Sequence, residues 1–140
     1  MGLLSLVAIV FGQAPPPRGL AQSGAALSPC PATPNCVSTE AADPQHAMPA
    51  IPFADAPEAA QARARAALTA EPRTLVVLER SGYLHAESRS RLLRFVDDVE
   101  IVVDASARVF RFRSASRVGR SDLGVNRQRM ERVSRRLTQR

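Results

Sequence analysis

The stretch FVDDVEIVVDASARVFRFRSAS, residues 95–116, decides how this chain folds. It contains two β-rich runs, FVDDVEIVVD and VFRFRSAS, joined by the short connector ASAR. Successive side chains of a strand point to opposite faces. In the first run, Phe95, Asp97, Val99, Ile101 and Val103 share one face, while Asp98, Glu100, Val102 and Asp104 share the other. The first set is apolar apart from Asp97, so it must face the core. In the second run Phe110 and Phe112 turn inward, which sends Arg111 and Arg113 outward. So short a connector imposes antiparallel pairing. Matching core to core then predicts Val103 opposite Phe110, Ile101 opposite Phe112, Glu100 opposite Arg113 and Asp97 opposite Ser116. The outer face carries complementary charge, which stabilises the pairing by ~0.2–1 kcal/mol per pair.

Working outward, TLVVLE at residues 74–79 reads as a strand, and Arg80, Ser81 and Gly82 turn it into a second, YLHAESRS at 83–90. The second is more polar and is expected to be half exposed. SRLLR bends the chain into the run that begins at Phe95. Upstream, PEAAQARARAALTA opens with Pro57 and Glu58 and closes before Pro72, the signature of an alanine-rich helix. Downstream, Leu123, Met130, Val133 and Leu137 recur at helical spacing and predict a helix over about 122–138, with a start at Asn126 as the alternative. Arg129, Arg132, Arg135, Arg136 and Arg140 are expected on its opposite side. Ser121 is the candidate N-cap, and Asp122 complements the helix dipole. The expected fold class is α+β: a four-stranded antiparallel meander packed against an N-terminal and a C-terminal helix. Residues 12–56, rich in Pro, Ala and Ser, read as an irregular arm. Residues 1–26 form a signal-like apolar segment and linker, and 27–140 a single domain.

The 140 residues carry a formal net charge of +6, and every basic residue is arginine. Residues 1–72 hold three Arg against five acids, and residues 73–140 hold sixteen against eight. The C-terminal half therefore suits an anionic partner or a solvated arginine surface. LLSLVAIVF, residues 3–11, is too short to span a bilayer but matches the apolar region of a signal peptide, with small-residue cleavage positions at Ala21 and Ala26. Cys30 and Cys36, in the Pro-rich turn CPATPNC, suit a small disulfide loop in an exported protein. A metal site recruiting His46 and His85 lacks the paired C-x-x-C spacing and is the weaker reading. The expected location is exported, periplasmic or membrane-associated.

Asp97 is the residue that alternation does not excuse, because a carboxylate turned toward the core needs donors. Ser116, Arg117 and the start of the last helix are the nearest candidates. One reading is a buried latch joining the last helix to the sheet. The other is a polar pocket built from Asp97, Ser116, Arg117, Ser121, Asp122, Asn126 and Arg127. Glycine loops for phosphate, a dinucleotide fingerprint and a nucleophile elbow do not occur in the sequence, and no cofactor or metal is expected. Basic charge favours nucleic acid, but there is no Trp and only one Tyr and five Phe to stack bases, so that partner is disfavoured.

CPATPNCVST, YLHAESRSRLLRFVDDVEIVVD and FRFRSASRVGRSDLGVNRQRME together resemble the bacterial and plastid family named domain of unknown function 1499, over about residues 27–137. The resemblance implies a small exported or membrane-tethered protein and carries no catalytic residues with it. The expected function is a non-enzymatic binding or structural module of the cell envelope, meeting a protein partner or an anionic lipid surface. The alternative is an enzyme using Asp97, Arg117, Asp122 and Asn126.

Overall fold

In the computed structural model, which describes Ala21 and residues 26–139, the two central strands pair as parity requires. β5 (Val96–Asp104) and β6 (Val109–Ser116) are antiparallel, with Val103 opposite Phe110, Ile101 opposite Phe112, Glu100 opposite Arg113 and Asp97 opposite Ser116. β3 (Thr74–Arg80) and β4 (Tyr83–Arg89) complete the meander, turned by Gly82 at φ 79°, a left-handed value that glycine adopts without a Cβ clash. A bulge between Val76 and Leu78 interrupts the outermost pairing.

The sheet has six strands, where four were expected. β1 (Cys36–Ser38) and β2 (Ile51–Pro52) both lie antiparallel against β6, one at each end of it. The open edge of β6 needs partners for its backbone groups, and the Pro-rich arm supplies them in two short pieces. Thr39 and Phe53 extend this pairing through their backbone N–H groups, bonded to the carbonyls of Phe112 and Arg108. The strand order is β1-β6-β5-β4-β3, with β2 beside β1 along β6.

α1 (Pro57–Thr69) and α2 (Val125–Thr138) cover one face. Between them and the sheet lies the core of Leu68, Leu84, Val99, Ile101, Phe110, Phe112, Met130, Val133 and Leu137. α1 contributes mainly Ala60, Ala64 and Ala67, so it packs close and buries little per residue. Phe110 and Phe112 have no exposed surface, each stabilising the fold by ~1.5–3 kcal/mol through burial alone.

The second face is also covered, which overturns the expectation of a half-exposed β4. Tyr83, Leu84, His85, Ala86 and Ser88 are buried, and Ala21 and Leu27 of the arm pack on Tyr83 and Val102. Phe95 is 48 % exposed and lies outside the ladder. Its N–H donates to Ser90 Oγ and its carbonyl accepts from the Ser90 N–H, so it closes the β4–β5 turn instead of entering the core. Cys30 and Cys36 form a disulfide that fastens the arm to the start of β1. The signal-like segment of residues 1–26 lies outside the described residues except for Ala21 and Ala26. Among the described residues no helix is long and apolar enough to cross a membrane.

Candidate functional site

Asp97 is enclosed, and its partner is Arg129. Nη2 of Arg129 donates to Asp97 Oδ2 at 2.7 Å, with the two side chains 5 % and 9 % exposed. Arg129 Nη1 donates to Asn126 Oδ1 at 2.8 Å and to Ser114 Oγ at 3.2 Å. Ser114 Oγ in turn donates to Asn126 Oδ1 at 2.6 Å. Asn126 Nδ2 donates to Asp122 Oδ2, Ser116 Oγ and the Asn35 carbonyl. The result is a closed set linking α2 to β5, β6 and the residue before β1.

Arg129 was expected on the exposed side of its helix. It lies three residues after Asn126 and one before Met130, so it flanks the apolar stripe instead of opposing it. Leu123, expected in that stripe, is 90 % exposed. The helix starts at Val125, not Asp122, because Leu123 and Gly124 take left-handed φ values of 55° and 80° that no helical turn accommodates. Ser121 does not cap α2; its Oγ accepts only the Leu123 N–H, at 3.4 Å. Asp122 does that work, accepting the N–H groups of Gly124 and Asn126 at 2.9 and 3.0 Å. Burial tends to raise the Asp122 carboxyl, but the Asn126 bonds and the Gly124 N–H outweigh it and hold its pKa below the ordinary value. Arg127 lies apart, bonded to the carbonyls of Gln45 and Ala47.

Arg117 does not join Asp97. Alternation places it on the other face, where Nε and Nη2 donate to both oxygens of Asp98 at 2.7 and 2.8 Å, and Nη2 reaches Glu87 Oε1 at 2.6 Å. His85 Nε2 lies 2.6 Å from Asp98 Oδ1. Asp98 is wholly buried. Burial works to raise its pKa, but the bonds from Arg117 and His85 win and hold it below the usual carboxylate range. The guanidinium of Arg117 is raised in return, chiefly by its bond to Asp98.

Further along this face the balance reverses. Glu100 has no exposed surface; its Oε2 accepts from Tyr83 Oη at 3.1 Å and from the Ala21 N–H at 3.0 Å, while its Oε1 has no partner. Burial raises its pKa, and those two bonds offset only part of that. Arg113, cross-strand from it, bonds the Pro29 carbonyl through Nη2, at 3.4 Å; among the described residues its buried Nε and Nη1 have no partner. Burial lowers its pKa despite the nearby Glu100 and Asp98. The charge pairing expected on an open outer face is therefore a buried set under the arm.

Sequence reasoning missed Tyr83, His85, Glu87 and Arg113 as members of one buried group. Parity across β4, β5 and β6 was the available signal, since these residues all fall on the face that carries Asp98 and Glu100. The 660 Å³ cleft along Phe53, Asp55, Arg63 and Leu137 lies at the other end of α2 and touches neither group. The 280 Å³ cleft beside Gly82 and the 310 Å³ cleft beside Cys30 touch neither group either. His46 is engaged by Asp43 and the Thr33 carbonyl, and among the described residues no trio of His, Cys, Asp or Glu is placed to hold a metal ion.

The chain matches no curated protein and no solved structure. A family model described as "Protein of unknown function (DUF1499)" matches residues 26–137, from the arm through the whole sheet to the last core residue of α2. The CPATPNC loop, the Asp98 and Glu100 face and the β6–α2 connection all lie within that span, and the chain belongs to this family.

Proposed function

We propose that this chain is a non-enzymatic module of the cell envelope, holding a protein or an anionic lipid surface against its exterior. One observation carries the reading: the polar side chains around the β6–α2 connection bond one another and are enclosed. Catalysis needs converging groups in an open concavity. A closed set of this kind fixes a helix to a sheet. The Cys30–Cys36 disulfide supports an oxidising compartment. The test is cell fractionation of the full chain with thiol alkylation before and after reductant. The expected result is recovery with the envelope and no alkylation until reductant is added. Recovery in the cytosol with both thiols labelling at once would overturn the reading.

A second reading, an enzyme, is favoured by Glu100 Oε1 and the cross-strand Arg113 Nε and Nη1, which have no partner among the described residues, with Tyr83 Oη on the other oxygen of Glu100. Such an enzyme would use the face beneath the arm and not the four residues Asp97, Arg117, Asp122 and Asn126. It predicts that Glu100→Gln abolishes cellular function with the melting temperature unchanged.

A further inference from the structure

Most large apolar side chains of this domain are covered, but one end of the sheet carries a group that is not. The β4–β5 turn presents Leu92 at 86 %, Leu93 at 70 % and Phe95 at 48 % exposure. Leu75, at the start of the neighbouring β3, is 68 % exposed. The β6–α2 connection adds Val118, Leu123 and Val125. Backbone bonds place these segments together: the Arg89 N–H donates to the Arg73 carbonyl, and the Arg117 N–H to the Val96 carbonyl, each at 3.0 Å. The turn itself is closed by the paired bonds between Ser90 and Phe95, so its leucines are displayed by a defined hairpin tip. An exposed apolar cluster on this scale marks an interaction surface.

The charge around it selects the partner. Residues 88–96 contain three arginines and no acid, and residues 117–125, which carry Val118, Leu123 and Val125, two arginines and one acid, Asp122. Arg73, Arg91, Arg94 and Arg120 are exposed around the leucines. Of the carboxylates around it, Glu87 and Asp98 are paired with Arg117, and Asp122, beside Leu123, is bonded to the N–H groups of Gly124 and Asn126 and to Asn126 Nδ2. Leucine and phenylalanine ringed by arginine are complementary to a surface that is apolar inside and anionic outside, as an anionic phospholipid leaflet is.

We propose that this end of the domain docks on an anionic phospholipid bilayer, with Leu92, Leu93 and Phe95 entering the headgroup–acyl boundary and Arg91 and Arg94 meeting the headgroups. The proposal rests on the envelope-module reading and names its surface. The test is flotation of the full, oxidised chain with phosphatidylcholine vesicles, with and without phosphatidylglycerol. Because residues 3–11 are themselves apolar, the comparison that decides is between wild type and variants of the same length. The expected result is binding that depends on phosphatidylglycerol and weakens with salt. The double variant Leu92→Ser/Leu93→Ser should lose roughly tenfold or more. Each of Arg91→Gln and Arg94→Gln should lose about fivefold. Leu92, Leu93 and Arg91 are exposed, so the melting temperature of those variants should not change. Equal vesicle binding by wild type and the leucine variant overturns the proposal. So does a photo-crosslink from position 92 that captures a protein in place of lipid. If vesicle binding fails while the chain still fractionates with the envelope, the lipid surface falls and the module reading stands; recovery in the cytosol removes both.

Discussion

Replacing Asp97 by Ala leaves the Arg129 guanidinium 5 % exposed and without a counter-charge. Its Nη1 bonds to Asn126 and Ser114 survive, but both are to neutral groups. Removing one partner of a buried ion pair costs about 3–5 kcal/mol, because the remaining charge stays desolvated. In a domain of this size each kcal/mol moves the melting temperature by about 4 °C or a little more, so Asp97→Ala should melt roughly 12–20 °C below wild type. Asp97→Asn keeps an acceptor and loses only the charge, and should cost about 1–2 kcal/mol. The double variant Asp97→Leu/Arg129→Met removes both charges and should recover most of the loss. Thermal melts followed by circular dichroism, with urea titrations of these proteins and of the singles Asp97→Leu and Arg129→Met, give the coupling energy directly. The latch is refuted if Asp97→Ala lies within about 1 kcal/mol of wild type, or if the double variant is no better than the sum of its singles.

The second face makes opposite demands on its two arginines. Arg117→Met breaks three charge-assisted bonds and should destabilise by about 3–5 kcal/mol, whereas Arg113→Met removes a cation with one long bond and should stay within about 1 kcal/mol of wild type; equal losses in urea titration would contradict the bonding described. Stability should also fall in acid. Asp98, Asp122 and Glu71, the last clamped by Arg132 and Arg136 against its own burial, have folded pKa values below their unfolded ones. Their contribution is present above 3.8 for the aspartates and 4.5 for Glu71, and is lost as pH falls through the folded values. Glu100 runs the other way: its folded value is raised, so its ionisation removes stability as pH rises past 4.5 and through that value. Asp43 and Asp104, both more exposed, are lowered as well, so five carboxylates against one give a net loss on acidification, and a urea midpoint unchanged from neutral pH to well below 3.8 would contradict it.

The β5–β6 register was legible because alternation and a short connector leave few alternatives, and all four predicted pairs are found. Alternation also contained the fate of Arg117, since it shares parity with Arg113 and not with Asp97's partner Ser116. Arg129 was legible in its spacing from Asn126 and Met130, but an arginine on a charged helix reads as solvated unless an acid on the facing strand calls for it. β1 and β2 left almost no signal. Three and two residues are too few for periodicity, and these strands exist because β6 has an edge to satisfy. Leu123 misled for a local reason: it keeps the helical spacing while its own left-handed φ keeps it out of the helix.

That edge of β6 has a consequence in time. The meander from β3 to β6 is built from neighbours in sequence and can assemble early, but β1 and β2 precede it by dozens of residues and must find β6 across the whole chain. Until they arrive, β6 offers a bare row of backbone donors and acceptors to any extended segment nearby, including the same strand of another molecule. The bond between Cys30 and Cys36 anchors the entry to the first strand that closes this row. Covering that row therefore falls to the arm, whose first strand begins at the very cysteine that closes the loop from Cys30.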